Sequence, residues 1–359
     1  MRYLFFTNTP AHVHLYKYAV RELQRQGHDV LVLGRDYGCT TDLLEYYDLP
    51  HRIYGSCGTT KYSLFTSLPF HYANIFREVR RFKPDLIFGM GGYAAHAGAV
   101  SRTPVILVLD SEPTSLDHLV SRPFAKAILT PHTFGKEISD NHYQFRGFKE
   151  TAYLHPDVYE PTVDIRDELG LGPDEKFVVV RFNAFGSHHD VGHQGFTPDR
   201  RRELLGMLSE HATVFVLDES EERRDGDGDA RSVDFHPALV HDVLAEADLL
   251  VADTQTMVTE AALLGTPAIR SNSFVGENDM GNFVALERHG LISNLASFDD
   301  VMERAETLLT EDGTKERWQA RRDEFLADKV NLTDVIVQVA LNYGAVETVG
   351  SLSRHSVPA

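Results

Sequence analysis

Short apolar runs alternate with longer stretches of helical period along nearly the whole chain. "YLFFT" (Tyr3 to Thr7) predicts a buried strand, and the segment from about His14 to Gln26 sets Leu15, Tyr18, Ala19 and Leu23 on one helical face, with Gly27 placed to close it. "DVLVLG" (Asp29 to Gly34) predicts a second strand. "HRIYG", "DLIFGM", "PVILVLD" and "KAILT" predict others, with helices at Leu64 to Phe82 and Tyr93 to Ser101 among them. Strands separated by helices imply a parallel sheet, because parallel neighbours need crossover connections. Two prolines in "YLHPDVYEPTVD" then interrupt the pattern, and "KFVVVRF" (Lys176 to Phe182) opens a second cycle. That cycle runs through "TVFVLD", "RSVDF", "DLLVAD" and "PAIRS", with helices near Pro198 to Glu210, Leu239 to Ala245 and Thr256 to Leu264. Three more helical segments follow, at Phe298 to Leu309, Lys315 to Ala327 and Leu332 to Asn342, and "VETVGSLSRHSVPA" reads as a frayed tail. The expectation is an α/β chain of two Rossmann-like, doubly wound domains, residues 1–158 and 159–345, with a flexible tail at 346–359.

Composition narrows the function classes. A chain of 359 residues suits two domains of ordinary size, and an apolar fraction of 42% is that of a globular protein. No apolar run is long enough to cross a bilayer, and "MRYLFFTNTPAH" enters a strand pattern and meets a proline before it can act as a signal peptide, which points to the cytoplasm; peripheral contact with a membrane stays open. The formal charge of −18 repels nucleic-acid phosphates, so no nucleic-acid partner is expected. Acidic residues are spread along the chain, are densest at "DESEERRDGDGDARSVD" (Asp218 to Asp234), and accompany more Arg than Lys; this resembles proteins of salt-loving archaea, whose carboxylate surface holds water in concentrated salt. Cys39 and Cys57 give neither a disulfide framework nor a metal-ligand spacing.

In open α/β sheets ligands bind outside the carboxyl ends of the strands, so strand-to-helix turns carry the chemistry. After the first strand, "TNTPAHVHLY" puts Asn8, His12 and His14 around a helix start. After "DLIFGM", Gly91 and Gly92 allow close backbone approach, and the following helix N-terminus offers N–H groups to an anion. "LVLDSEPTS" delivers Asp110, Ser111 and Glu112, whose carboxylates can act as a base or hold a substrate hydroxyl; helix capping accounts for Asp110 or Ser111 but not for Glu112. In the second half, Arg181 and Asn183 leave a strand end, and His188, His189, Asp190 and His193 follow in a loop that lacks the frame a metal site needs and reads as a substrate-contacting or surface loop.

"LLVADTQTMVTEAALLGTP" is the richest turn. Asp253, Thr254, Thr256 and Met257 open a helix on which Glu260 stands four residues after Thr256, on the same face. Hydroxyls and free N–H groups at a helix start suit a diphosphate, and a carboxylate one turn in can accept both ribose hydroxyls.

This stretch resembles the donor-nucleotide motif of glycosyltransferases of the GT-B fold and of UDP-N-acetylglucosamine 2-epimerases, in which a hydroxyl- or glycine-rich turn precedes a ribose-binding glutamate and a Gly-x-Pro. Here those positions are Thr254 to Thr256, Glu260 and Gly265-Thr266-Pro267. Together "NTPAHVHLY", "LQRQGHDVLVLGRDY", "KPDLIFGMGGY", "DSEP", "VVVRFNA" and "TMVTEAALLGTPAIRS" resemble an archaeal and bacterial family named domain of unknown function 354, over Met1 to about Asn294. The resemblance implies two domains facing across a cleft in which a UDP-sugar binds without a metal or other cofactor. Glu260 would hold the ribose, Thr254 to Met257 the phosphates, and Arg181 with Asn183 the diphosphate or sugar. His12 or Glu112 would handle the acceptor proton, with Asn8, His14, Gly91, Gly92, Asp110 and Asp190 lining phosphate or acceptor. Glycosyl transfer is the leading reading. A 2-epimerase is the alternative, with Glu112 in "DSEP" standing where the epimerases carry His-x-Glu-Ala-Gly, although "GMGGY" replaces the acidic residue those enzymes carry after "KPD". A non-catalytic nucleotide-sugar binder or assembly protein is the third reading.

Overall fold

The computed structural model describes the chain apart from residues 57–60, 113–114, 183–195, 219–229, 233–234, 273–274, 277–278 and 356–359. It divides into two compact units, one made of Met1–Tyr159 with Asp328–Ala359 and the other of Glu160–Ala327.

The first unit is built on eight strands: β1 (Arg2–Thr7), β2 (Asp29–Asp36), β3 (His51–Ser56), β4 (Leu86–Gly89), β5 (Val105–Val108), β6 (Ala127–Pro131), β7 (His142–Phe145) and, numbered last in the chain, β14 (Leu352–Arg354). Their order across the sheet is β14-β7-β6-β5-β4-β1-β2-β3, and every pairing is parallel except that of β14 with β7. The central strands β4 and β5 carry no polar side chain, and β1 is apolar from Tyr3 to Phe6, the pattern of a parallel sheet covered on both faces. Tyr3, Phe5, Phe6, Phe88 and Val105 are fully buried there, and the Phe5 and Phe88 rings stack at 5.0 Å.

The second unit carries β8 (Phe177–Phe182), β9 (Thr213–Asp218), β10 (Arg231–Ser232), β11 (Leu249–Ala252), β12 (Ala268–Arg270) and β13 (Ile292–Asn294). The sheet is wholly parallel, in the order β10-β9-β8-β11-β12-β13. Val178, Val180, Val251, Ile269, Leu204 and Trp318 share one core, and the Trp318 indole N–H donates to Leu291 O at 2.8 Å. The helix Thr256–Leu264 stops at Gly265, whose φ of 80° suits glycine, and a Cβ there would meet the backbone of Gln319 at 3.1 Å.

The C-terminal residues depart from the sequence expectation. Residues 328–345, assigned by periodicity to the second domain, belong to the first unit. The helix Leu332–Leu341 packs on the helix Pro10–Arg25 and buries Leu332, Val335, Ile336 and Val339. Tyr3 donates its hydroxyl hydrogen to Ala340 O at 3.0 Å, and Thr333 donates to Ala152 O at 2.7 Å. The stretch expected to fray contains β14, paired with β7 from Leu352–Phe145 to Arg354–Tyr143. Helical period shows that a face must be buried but not which sheet or helix it covers. Ile336→Ala is expected to remove roughly 2–5 kcal/mol of stability from the first unit. Denaturant unfolding should show the transition of Met1–Tyr159 shifting while that of the second unit stays in place.

Candidate functional site

In the first unit, the residues at the carboxyl ends of β1, β4 and β5 are joined by side-chain contacts. Asn8, one residue past β1, is held from four directions. Its side-chain amide donates to Met90 O at 3.4 Å beyond β4, its Oδ1 accepts the Tyr54 hydroxyl at 2.9 Å, its carbonyl accepts Arg35 Nε at 3.1 Å, and its N–H donates to His12 Nδ1 at 3.1 Å. His12 lies in the first turn of the helix Pro10–Arg25, whose Thr9 cap position makes no side-chain capping bond. Burial, with the positive charges of Lys149 and Arg35, pushes the His12 imidazole down to about 3, against the opposing pull of Asp110. A ring whose Nδ1 accepts a backbone N–H and which stays neutral carries its proton on Nε2, as a donor.

Asp110, two residues past β5, pairs with Lys149 Nζ at 2.5 Å, and Lys149 also lies 3.5 Å from Glu150. Burial raises the Asp110 carboxyl, but the charge and hydrogen bond of Lys149 outweigh it and leave the group below its ordinary value. Tyr16, on the same helix as His12, is buried, and burial with the nearby Asp110 charge raises its phenol. Glu112 turns to the loop after β6, accepting Gly135 N–H at 2.7 Å, and borders a groove of about 450 Å³ that Leu116, His118, Arg122 and Lys136 help to line.

Three first-unit expectations change. His14 is buried inside the helix, edge-on to Tyr47 at 5.8 Å and beside Tyr153 at 5.5 Å, so it belongs to the core and not to a ligand loop. The N–H of Gly92 donates to Asp117 Oδ1 at 3.1 Å, so the anion at this helix start is the protein's own carboxylate. Gly91 has a φ of 81°, a backbone conformation that favours glycine, and a Cβ there would meet Asp117 Oδ2 at 2.5 Å.

In the second unit, Arg181 is half-buried near the end of β8, beside Ala252 of β11, and its carbonyl accepts Asp253 N–H at 3.3 Å. Asp253 is buried, and its backbone carbonyl accepts the Asn272 side-chain amide at 3.0 Å, tying the end of β11 to the turn after β12. Thr254 has a buried hydroxyl with no hydrogen-bond partner among the described residues. Thr256 and Met257 form the first turn of the helix Thr256–Leu264, which has no side-chain cap and no acidic residue in that turn. In the same unit the helices starting at Ile165, Pro198 and Phe298 are capped by Asp164, Thr197 and Ser297, whereas those starting at Val240, Gly281 and Thr314 likewise have no side-chain cap. Glu260 is buried one turn further on, with Oε1 at 3.2 Å from His241 Nε2. Asn183 and Asp190, with the His188–His193 loop, lie outside the described residues.

Residues 3–343 match the family described as "Protein of unknown function (DUF354)". The chain belongs to this family. Over 280 residues, 73% of this DUF354 chain and 79% of the relative, it is 24% identical to the uncharacterized protein MJ0665 of Methanocaldococcus jannaschii. A stretch of 65 residues, 16% of this chain and 18% of the relative, is 42% identical to the UDP-N-acetylglucosamine–N-acetylmuramyl-(pentapeptide) pyrophosphoryl-undecaprenol N-acetylglucosamine transferase of Coxiella burnetii. Among solved structures, the chain is similar to a UDP co-structure of S. aureus MnaA (TM-score 0.69, 12% identity, all of both chains covered). It is also similar to the UDP-GlcNAc 2-epimerase from Neisseria meningitidis bound to UDP-GlcNAc (0.64, 11%, covering 96% of this chain and 99% of that one). A third similar structure is the glycosyltransferase VinC in complex with DTDP (0.61, 12%, covering 96% and 99%). The fold is therefore that of the GT-B glycosyltransferases and UDP-N-acetylglucosamine 2-epimerases, and no helix among the described residues is long and apolar enough to cross a membrane.

Four residues near these strand ends escaped the sequence reading. Lys149 and Glu150 follow β7; Lys149 reaches Asp110 from a distant part of the chain, and Glu150 lies beside Lys149. His241 sits on the helix before β11. Arg270 ends β12 fully buried, bonded to Asp279 Oδ2 at 2.6 Å and lying 3.7 Å above the Phe283 ring, with Nε and Nη1 unpaired among the described residues. The cue for Arg270 was an arginine closing the apolar run "PAIRS"; Lys149 and His241 had none, because their partners are remote in sequence.

The depressed His12 value has a defined sign. The unfolded chain protonates this ring near 6.5 and the folded chain only near 3, so acidification between those values favours unfolding, and the effect levels off below about 3. His12→Asn is expected to flatten the stability-versus-pH curve in that window, measured by denaturant titration at a series of pH values.

Proposed function

We propose that the protein is a nucleotide-sugar-dependent glycosyltransferase that stabilises its leaving diphosphate with protein groups and not with a metal. The observation that carries this reading is the turn after β11: an uncapped helix start at Thr256 with a fixed, buried carboxylate at Glu260 one turn along. The helix N–H groups and Arg181 would hold the diphosphate, the Thr254 hydroxyl would contribute a donor, and Glu260 would accept the ribose hydroxyls. During transfer the bond from the sugar's anomeric carbon to the phosphate oxygen breaks, the acceptor oxygen bonds that carbon, and the acceptor loses its proton. Glu112, which borders the first-unit groove, is assigned as the base. His12 suits the opposite role, because a neutral ring with its proton on Nε2 donates a hydrogen bond and a group titrating near 3 is a weak base.

Epimerisation at the sugar's C2 is the second reading, favoured by the likeness to the Neisseria epimerase over 96% of this chain and by two carboxylates, Asp110 and Glu112, after one strand. The two chemistries separate in one assay. Nucleoside diphosphate released only with an acceptor supports transfer, isomerised donor without acceptor supports epimerisation, and saturable binding with neither supports a binding protein. Glu260→Ala is expected to weaken nucleoside diphosphate binding about 10- to 100-fold, the cost of losing hydrogen bonds to a charged group. Unchanged affinity by calorimetry would remove Glu260 from the site.

A further inference from the structure

We propose that the C-terminal strand β14 is a pH-released latch, docked on β7 while the His142 ring is neutral and freed when that ring takes up a proton. The inference stands apart from the proposed reaction.

Little besides backbone holds β14. Leu352 is half-buried and Ser353 and Arg354 are exposed, so the pairing with β7 is completed by the residue that follows, His355. Its N–H donates to His142 O at 2.9 Å and its Nε2 donates to Phe134 O at 3.2 Å. Its ring lies flat on that of His142, with centroids 4.5 Å apart and planes 16° from parallel. Val346 and Val349, just upstream, are buried, so the latch is anchored there and opens beyond Val349.

The hydrogen bonds around His142 suit the neutral ring. The side chain is buried, its Nδ1 accepts the Ile138 N–H at 3.4 Å, and its Nε2 donates to Thr130 Oγ1 at 2.7 Å, while Thr130 passes its own hydrogen to Pro131 O at 3.3 Å. A proton added at Nδ1 meets an N–H instead of an acceptor, and its charge lies against the face of a second imidazole. His355 Nδ1 is likewise buried, with no hydrogen-bond partner among the described residues, so neither ring has an acceptor waiting for a second proton.

The elements packed on His142 reinforce this. Thr130 faces it from β6, Phe134 edge-on at 5.7 Å and Ile138 from the following loop, and His355 from β14. Burial first, then the charges of His355 and of His118 on the helix Ser115–Ser121, push His142 down to about 4. Other ionisable groups sit one step away. Asp117, Lys136 and Arg122 act on His118, and Asp140 and Glu347 act on Arg354, which lies over the Tyr143 ring at 5.8 Å. Released, His142 titrates near 6.5; docked, near 4. Docking is therefore at full strength above about 6.5, weakens about tenfold per pH unit below that, and levels off below about 4.

The loop after β6 carries the change toward Glu112. Phe134 O and the Ile138 N–H, bonded to the two histidine rings, flank Gly135 and Lys136, which donate to Glu112 Oε1 at 2.7 Å and Glu112 O at 3.2 Å. Gln144 and Arg122 also hold this loop, at Phe134 O and Ile138 O, so release loosens it without freeing it.

The test is amide hydrogen exchange of the full chain at constant molar salt from pH 7.5 to 5.0, with each rate normalised to that of an unstructured peptide at the same pH. Protection over Ser351–His355 is expected to fall about 20- to 30-fold, and that over Phe134–Ile138 to fall by less. His142→Gln, whose amide can still donate to Thr130 but takes up no proton, should abolish the fall. His12→Asn, which changes the global pH dependence of the first unit, should leave it in place. Should His142→Gln fail to fold, deuterium exchange at the His142 ring carbon of the wild type reads its titration directly, and it should follow the loss of β14 protection. Protection of β14 that is constant with pH overturns the inference. So does a fall that persists in His142→Gln, or a His142 that titrates near 6.5 with β14 still docked.

Discussion

In a parallel sheet every strand delivers its chain to a crossover at the same edge, and the rest of this molecule follows from that constraint. Within the sheets the backbone is satisfied by the ladder and the side chains are apolar on both faces, as in β1, β5 and β11. At the carboxyl edge the ladder ends, the next helix begins with unbonded N–H groups, and side chains must change from apolar to polar within one or two residues. Asn8, Asp110, Thr254 and Arg270 all stand at that transition. Each unit meets it with a set of contacts between turns: Asn8 spans the ends of β1 and β4 in the first, and Asn272 spans those of β11 and β12 in the second.

Ionic pairs gather near the same edges, with Lys149 on Asp110 and Arg270 on Asp279. Such pairs are poor sources of stability, because desolvating two charges consumes most of what their attraction returns. Apolar side chains of equal volume would fill the same space at less cost. What the pairs supply is direction: each holds a polar group in one rotamer at a place where the backbone leaves the sheet. Arg270 shows how far this goes, with a guanidinium fully buried on the face of Phe283 and only one of its nitrogens paired among the described residues.

Much of the fold was legible in the sequence because both sheets are made of local signals. The "YLFFT", "DVLVLG" and "DLLVAD" runs fall on β1, β2 and β11, and the segment Thr256 to Leu264 is a helix with those bounds. Short or late elements were not legible: "HYQF" of β7 alternates poorly, and β13 and β14 have three residues each, too few to show a period. At the candidate site, position in the chain identified the turns but not what each side chain touches. The sequence marks His12 as a candidate base, but its Nδ1 accepts the Asn8 N–H, and it marks Gly92 as a candidate phosphate turn, but its N–H donates to Asp117. The first depends on the ring orientation of His12 and the second on a contact 25 positions away, and residue type and spacing encode neither.

The first unit is also discontinuous, and that orders its assembly in time. Residues 160–327 leave the ribosome with every strand of their own sheet, whereas the sheet begun by β1 lacks β14, and the helix beneath Tyr3 lacks its cover, until residues 328–359 follow. The part of the protein made first is therefore the part completed last. For the whole synthesis of the second unit, the apolar flank of the helix Pro10–Arg25 waits for Ile336 and its neighbours, a window in which a nascent chain is most exposed to wrong partners.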